Sequence, residues 1–264
     1  MKNLAKLLEK RILKVKEEKG VSLIPYITCW DPELSVTEAI LWEMAELEPA
    51  CIELGFPFSD PVADGPTIQK AVVRALANKP TFEEFFEFVS RLNQSGFPVP
   101  LVCMTYYNIV FNYGLEESAS SARQAGLSGF IVADLPVEEA KPFVSACRKE
   151  KVATVFLAAP TSSESRIKKI ANASTGFLYY VSLTGITGAR DRLPQDVVER
   201  LKLVKSISRV PVAVGFGISK REHIELLNPY ADALVIGSAI VSLVEKHGKN
   251  SPKEIKKFLK NLIE

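Results

Sequence analysis

Cys51-Ile52-Glu53-Leu54-Gly55-Phe56-Pro57-Phe58-Ser59-Asp60-Pro61-Val62-Ala63-Asp64-Gly65-Pro66 runs from a short apolar strand into a single acid, then into a loop dense in glycine, proline and acidic residues. A strand end aims its last side chain at a fixed place, whereas a loop can move. Glu53 is therefore a rigid carboxylate and Asp60 and Asp64 are mobile ones, all delivered to one rim. That is the layout of acid–base chemistry under a closing lid.

Outward from this stretch, strand-like runs alternate with helical ones along the whole chain. Strands are expected at Ser22–Thr28, Ala50–Glu53, Val99–Thr105, Gly129–Asp134, Ala153–Ala158, Phe177–Ser182, Val210–Gly215 and Ala233–Gly237. Most are nearly continuous in Val, Ile, Leu, Ala and Phe, the pattern of strands covered on both faces and hence of a parallel sheet. Ser35 opens one intervening helix, Gly96 follows another, Pro136 begins the run Val137–Lys149, and Ser162 with Ser165 opens the run to Ala171. Eight strand-then-helix units favour a closed α/β barrel, the (β/α)8 TIM barrel, over an open sheet, and 264 residues match one such domain spanning 1–264. Three helices stand outside the repeat: the N-terminal one, one after strand 2 at Thr81–Asn93, and a C-terminal one at Pro252–Ile263. They are expected to plug or cover the barrel.

Composition narrows the function. The net charge of +2 is small for a dedicated nucleic-acid binder. Cys29, Cys51, Cys103 and Cys147 show no paired spacing, and Cys51 and Cys103 sit in apolar runs, which points to a reducing, cytoplasmic setting. The charged, helical N-terminus lacks the apolar core of a signal peptide, and no run is long enough to span a bilayer. His223 and His247 are the only histidines and both lie in polar helical stretches, so neither a zinc site nor a histidine triad is expected.

Phosphate recognition is the next expectation. In this fold phosphates sit beyond strands 7 and 8. Val214-Gly215-Phe216-Gly217-Ile218-Ser219 follows the seventh strand, and Val235-Ile236-Gly237-Ser238-Ala239 follows the eighth and opens a helix. Glycines let backbone N–H groups approach phosphate oxygens, and a helix N-terminus adds its dipole. Thr184-Gly185-Ile186-Thr187-Gly188, after the sixth strand, can close over the same point. Tyr26, Tyr106 and Tyr179, at or near the ends of strands 1, 3 and 6, together describe an aromatic pocket for a flat apolar substrate. Asp134 ends strand 4, where it can anchor loops. No lysine stands at a strand end, which removes Schiff-base chemistry, and no carboxylate–histidine cluster is visible for a metal aldolase. Carboxylate-driven chemistry on a phosphorylated substrate remains.

These residues resemble the tryptophan synthase α subunits. The resemblance rests on Pro25-Tyr26-Ile27-Thr28 with Asp31-Pro32, Glu53 to Pro61, Ala63-Asp64-Gly65-Pro66, Ile68-Gln69, Tyr106-Tyr107-Asn108, Ala133-Asp134-Leu135-Pro136, Ala159-Pro160-Thr161, Gly185 to Arg190, Gly215-Phe216-Gly217-Ile218 and Gly237-Ser238-Ala239, in family order from about residue 20 to 245. It implies retro-aldol cleavage of indole-3-glycerol phosphate to indole and glyceraldehyde 3-phosphate. Glu53 would be the acid at indole C3 and then the base for the glycerol hydroxyl; Asp64 would accept from the indole N–H; Tyr179 would position Glu53 or the indole. Tyr26 and Tyr106 would line the indole pocket, and Thr187, Gly188, Gly217, Gly237 and Ser238 would hold substrate and phosphate. The family also implies a β subunit that uses pyridoxal phosphate, in an α2β2 hetero-tetramer, docked through Asp31, Pro32, Pro57, Asp60 and Asn108.

One departure stands out. The family usually has glycine before the aspartate of the first loop; here the residue is Trp30. An exposed Trp30 would be an interface anchor, a buried one a filler near the barrel rim. Two rival functions keep the same residues: a free-standing indole-releasing lyase, and a catalytically silent regulatory subunit. The indole-glycerol-phosphate synthase would need strand-end lysines that this chain lacks.

Overall fold

Parallel pairing carries the expected strands around a ring. The structure is a computed structural model that describes residues 2–181 and 194–264. The strands are β1 (Leu23–Thr28), β2 (Ile52–Gly55), β3 (Leu101–Thr105), β4 (Gly129–Val132), β5 (Ala153–Val155), β6 (Leu157–Ala158), β7 (Leu178–Val181), β8 (Val212–Gly215) and β9 (Ala233–Ile236). Their order is β5-β4-β3-β2-β1-β9-β8-β7-β6, every pair parallel. The two ends of that order, β5 and β6, are separated in the chain by Phe156 alone. They are one strand that pairs with β4 in its first half and β7 in its second, so the ring closes and the eight-stranded barrel holds. The penultimate strand begins at Val212 rather than Val210 because Pro211 has no N–H to give the ladder. Its carbonyl still accepts from Leu178 at 2.8 Å.

The helices are α1 (Leu4–Lys19), α2 (Leu34–Ala45), α3 (Pro66–Leu76), α4 (Phe82–Gln94), α5 (Tyr107–Tyr113), α6 (Leu115–Ala125), α7 (Lys141–Glu150), α8 (Glu164–Ala173), α9 (Gln195–Ile207), α10 (Arg221–Leu227), α11 (Ser238–His247) and α12 (Ser251–Ile263). Helix α7 starts four residues later than the reading from Val137. A helix begun at Val137 would place Pro142 in its interior, against the Glu138 carbonyl; starting at Lys141 puts the proline in the first turn, where it is tolerated. Helix α4 opens on a capping box, Thr81 Oγ1 accepting from Glu84 N–H at 3.2 Å and the Glu84 carboxylate accepting from Thr81 N–H at 2.9 Å.

The three extra helices have distinct places. Ala5, Leu8, Ile12 and Val15 of α1 join Ile24, Cys51, Val102, Ile131, Ala153, Phe177, Ala213 and Ala233 in one apolar cluster. Those partners come from strands all round the ring, so α1 plugs one end of the barrel. Helix α4 sends Phe82, Phe85, Phe86 and Phe88 into the outer core, and α12 packs on α2 and α11. Side chains alternate along a strand. Two residues beyond Cys51 toward the open end, the inward position of β2 is therefore Glu53.

Candidate active site

Burial of Glu53 is nearly complete, with 1% of its surface exposed, and neither carboxyl oxygen has a hydrogen-bond partner among the described residues. An ionised carboxylate is costly in such a place. Desolvation, with a smaller push from the charge of Asp64, raises its pKa to about 8. Burial thus holds Glu53 toward its neutral, protonated form near neutral pH. In register it lies beside Tyr26 on β1 and Val102 on β3.

Asp64 is brought in by the loop after β2. The Tyr106 hydroxyl donates to Asp64 Oδ2 at 2.9 Å and accepts from Ala63 N–H at 3.1 Å, so one phenol at the end of β3 clamps the loop twice. Phe58 stacks on the Tyr106 ring at 5.2 Å. The Gln69 amide, one turn into α3, donates to the Asp64 carbonyl at 2.8 Å. Burial raises the Asp64 pKa and the Tyr106 hydrogen bond opposes that rise. The same environment pushes the Tyr106 phenol upward, through burial first and then the Asp64 charge. The two carboxyl groups therefore occupy different settings: one without a hydrogen-bond partner among the described residues and held toward its neutral form, one accepting a hydrogen bond that favours its charged form. Paired acids divided in this way are suited to opposite roles.

Tyr26 and Tyr179 flank Glu53 across the ring. The Tyr26 hydroxyl lies 3.2 Å from Thr28 Oγ1, and its ring fills space beside Gly55 that a Cβ would enter to within 2.2 Å of the hydroxyl. Tyr179 occupies the matching space beside Gly215, where a Cβ would come within 2.9 Å. Met104 and Leu157 add a half-buried apolar lining. Beyond β8 and β9, which pair, lie Gly217, with φ +66°, and Gly237, which leads into α11. Ile240 and Val241 N–H close the first turn on the Gly237 carbonyl at 2.8 and 3.1 Å. The N–H groups of Ser238 and Ala239 come before that turn and have no acceptor within the helix. Ser238 is exposed there. Thr187 and Gly188 lie outside the described residues.

The rim residues separate into two kinds. Asp60 and Asn108 are exposed and Pro32 is half-buried, whereas Pro57 is buried. Asp31 is buried too, and its carboxylate accepts two bonds from Arg74, at 2.7 and 2.8 Å. Trp30 fills the rim: it is 6% exposed, edge-on to Phe56 at 6.1 Å and near Phe88 at 6.5 Å. Its φ of +63° lies in the left-handed region, which accounts for glycine being the more comfortable residue there. Asp134 accepts from Tyr107 N–H at 2.7 Å, at the first residue of α5 rather than in a loop. Arg74 was absent from the sequence reading; nothing in a helix-borne arginine marks its partner in another loop.

A family model, described as tryptophan synthase alpha chain, matches residues 12–264. The chain belongs to the tryptophan synthase alpha chain family. It is 46% identical over 242 residues to the tryptophan synthase alpha chain of Pyrococcus abyssi, covering 91% of this chain and 97% of that one. With the Methanocaldococcus jannaschii alpha chain it shares 47% over 235 residues, covering 89% and 83%. A solved structure of the tryptophan synthase a2b2 complex from the hyperthermophile Pyrococcus furiosus superposes with a TM-score of 0.86 at 42% identity, covering 92% of this chain and 97% of that one. Among the described residues of this alpha chain, no group of three or more His, Cys, Asp or Glu is placed to hold a metal ion, and no helix is long and apolar enough to cross a membrane.

Proposed function

We propose that this chain cleaves indole-3-glycerol phosphate to indole and glyceraldehyde 3-phosphate, as the alpha subunit of tryptophan synthase in L-tryptophan biosynthesis. The observation that carries the chemistry is the buried Glu53, without a hydrogen-bond partner among the described residues, near a hydrogen-bonded Asp64. Glu53, protonated, gives its proton to C3 of the indole. Positive charge grows on the ring nitrogen, and Asp64, accepting from the indole N–H, stabilises it. The hydroxyl on the carbon attached to C3 then loses its proton to the Glu53 carboxylate. The carbon–carbon bond breaks as the aldehyde forms. Its electron pair returns to the ring, which restores neutral indole, and Glu53 ends as it began, protonated.

Tyr179 orients Glu53 and the indole, and Tyr26 and Tyr106 line its pocket. Gly217, Gly237 and Ser238 bind the phosphate together with Thr187 and Gly188, backbone N–H groups meeting the oxygens. A single domain, 1–264, supplies all of these groups, and the protein works in the cytoplasm.

The partner is a β subunit, which carries pyridoxal phosphate and consumes the indole, in an α2β2 assembly. Pro32, Asp60 and Asn108 front that surface, with Pro57 beneath it. Two exposed apolar residues support this: Val62, 80% exposed in the loop after β2, and Phe111, 60% exposed on α5 beside Asn108. Asp31 acts here from inside, through Arg74, rather than by its own side chain touching the partner.

Indole release from indole-3-glycerol phosphate, measured with this chain alone and again with a β subunit, tests the proposal. Weak cleavage that rises sharply with the partner is expected. Fast cleavage indifferent to the partner would mark a free-standing lyase, and no cleavage in either case would overturn the catalytic assignment.

A further inference from the structure

Three elements meet beside the site in two layers. Tyr26 on β1, Ala71 on α3 and Val241 on α11 form a small apolar cluster, with Ile68 and Met104 against it. Outside it lies a charged layer from the same helix faces: Arg74 is three residues beyond Ala71, and Glu245 is four beyond Val241, spacings that share a face. Arg74 grips the buried Asp31 with a two-pronged guanidinium, Nε to Oδ1 at 2.7 Å and Nη2 to Oδ2 at 2.8 Å. Its third nitrogen faces Glu245 at 3.7 Å, and Lys70 approaches the same oxygen at 3.9 Å. Asn78, one turn further along the chain, donates to the carbonyls of Trp30 and Pro32 at 3.0 and 2.9 Å. The far end of α3 is thereby tied to the loop that leaves β1. Its near end begins two residues after Asp64, which Gln69 also holds.

We infer that Arg74 is a positioning residue: by locking α3 onto Asp31 and against α11, it sets where Asp64 stands relative to Glu53 and the bound indole. This rests on the reading of Asp64 as the acceptor for the indole N–H. A helix is stiff along its axis, so a clamp about two turns from its start controls the residues entering it. Arginine suits the task because its planar fork matches both oxygens of one carboxylate; a lysine would hold the charge but not the angle.

The test is steady-state indole release by the full chain with a β subunit, over a pH series, for Arg74→Lys and for the double variant Asp31→Asn with Arg74→Met. The double variant removes both charges, so no buried carboxylate is left unpaired. It is expected to keep its circular dichroism and to lose roughly 10- to 100-fold in kcat, a misplacement of about 1 Å costing up to about 10²-fold. Moving Asp64 away from Glu53 also shifts the alkaline limb of the pH profile to lower pH. Inhibition by inorganic phosphate stays within about twofold of wild type, because the N-terminus of α11 is untouched. Arg74→Lys falls between the two, and it carries the test if the double variant does not fold.

Unchanged kcat and pH profile would overturn the inference. So would a loss that simply tracks the folded fraction, or one accompanied by loss of phosphate inhibition, which would move the effect to α11. Absence of indole release by the wild-type pair would instead remove the functional reading, and this inference with it.

Discussion

The two ends of the barrel bury side chains equally well and for opposite ends. At the closed end Cys51, just before β2, lies among Leu8, Ile12 and Ile24, apolar against apolar. Two residues further along the chain, Glu53 is just as buried but has no partner for either oxygen among the described residues. The first arrangement stabilises the fold and does nothing else. The second destabilises it, and what is obtained is a carboxyl that keeps its proton near neutral pH. Cys51 stands immediately before the four-residue strand β2, and Glu53 lies within it. The position of a residue along the barrel axis, not its burial, decides whether it serves stability or chemistry.

The sharpest break of this comparison is Glu53→Gln. Indole release should fall by about 10²–10⁴-fold, the range for loss of a positioned acid. Stability at pH 8 should rise, because the amide removes an ionisable group that folding holds in the wrong form. The sign follows from linkage. The folded-state pKa is raised from 4.5 to about 8, so the folded protein keeps a proton that the unfolded chain has released. The Glu53 side chain therefore adds no penalty below about pH 4.5. Stability then falls by about 1.4 kcal/mol per pH unit as pH rises toward 8. Chemical denaturation across that range should show the slope in wild type and a flatter curve in the variant. A variant that is less stable at pH 8 would mean Glu53 has a stabilising partner after all.

Ile12→Ala is the converse change, at the closed end. Ile12 is fully buried in the plug, so its truncation should cost roughly 2–5 kcal/mol, read as a lower denaturation midpoint. Activity per folded molecule should stay near wild type. A selective loss of kcat would show that the plug reaches the chemistry, and the two ends would no longer be separable.

The contrast also explains what could be read from residues alone. The strands were legible because covering both faces leaves continuous apolar runs, and Glu53 was legible as the acid in one, although β2 does not end there as expected but runs on to Gly55. Element starts were less so: Val137 was passed over because Pro142, five residues on, decides where α7 begins. Trp30 stood open between surface and interior because its direction depends on a φ of +63°, which no pattern of neighbours announces. Arg74 was invisible for a different reason. Its ion pair joins residues 43 apart in different elements, and neither residue lies in a periodic pattern that requires the other.

The mildest test concerns a contact that joins the barrel rim to the acid in the loop after β2. Tyr106 belongs with the barrel by its buried ring and with the loop by its hydroxyl, which serves Asp64 and Ala63 at once. Tyr106→Phe keeps the ring, its stack on Phe58 and the packing of β3, and deletes only the two hydrogen bonds. Stability should change by no more than about 1–2 kcal/mol, as for the loss of one or two partly exposed bonds. Without the donor, Asp64 loses the influence that opposes its desolvation, so its pKa should rise further. The acid limb of the indole-release profile should then move to higher pH, and kcat at neutral pH should fall by roughly tenfold, since a less ionised and less fixed acceptor stabilises the indole nitrogen poorly. An unmoved acid limb would mean that Asp64 finds its ionised form without Tyr106. The loop would then hold Asp64 through the chain on either side, Pro61 and Gln69, rather than through the barrel.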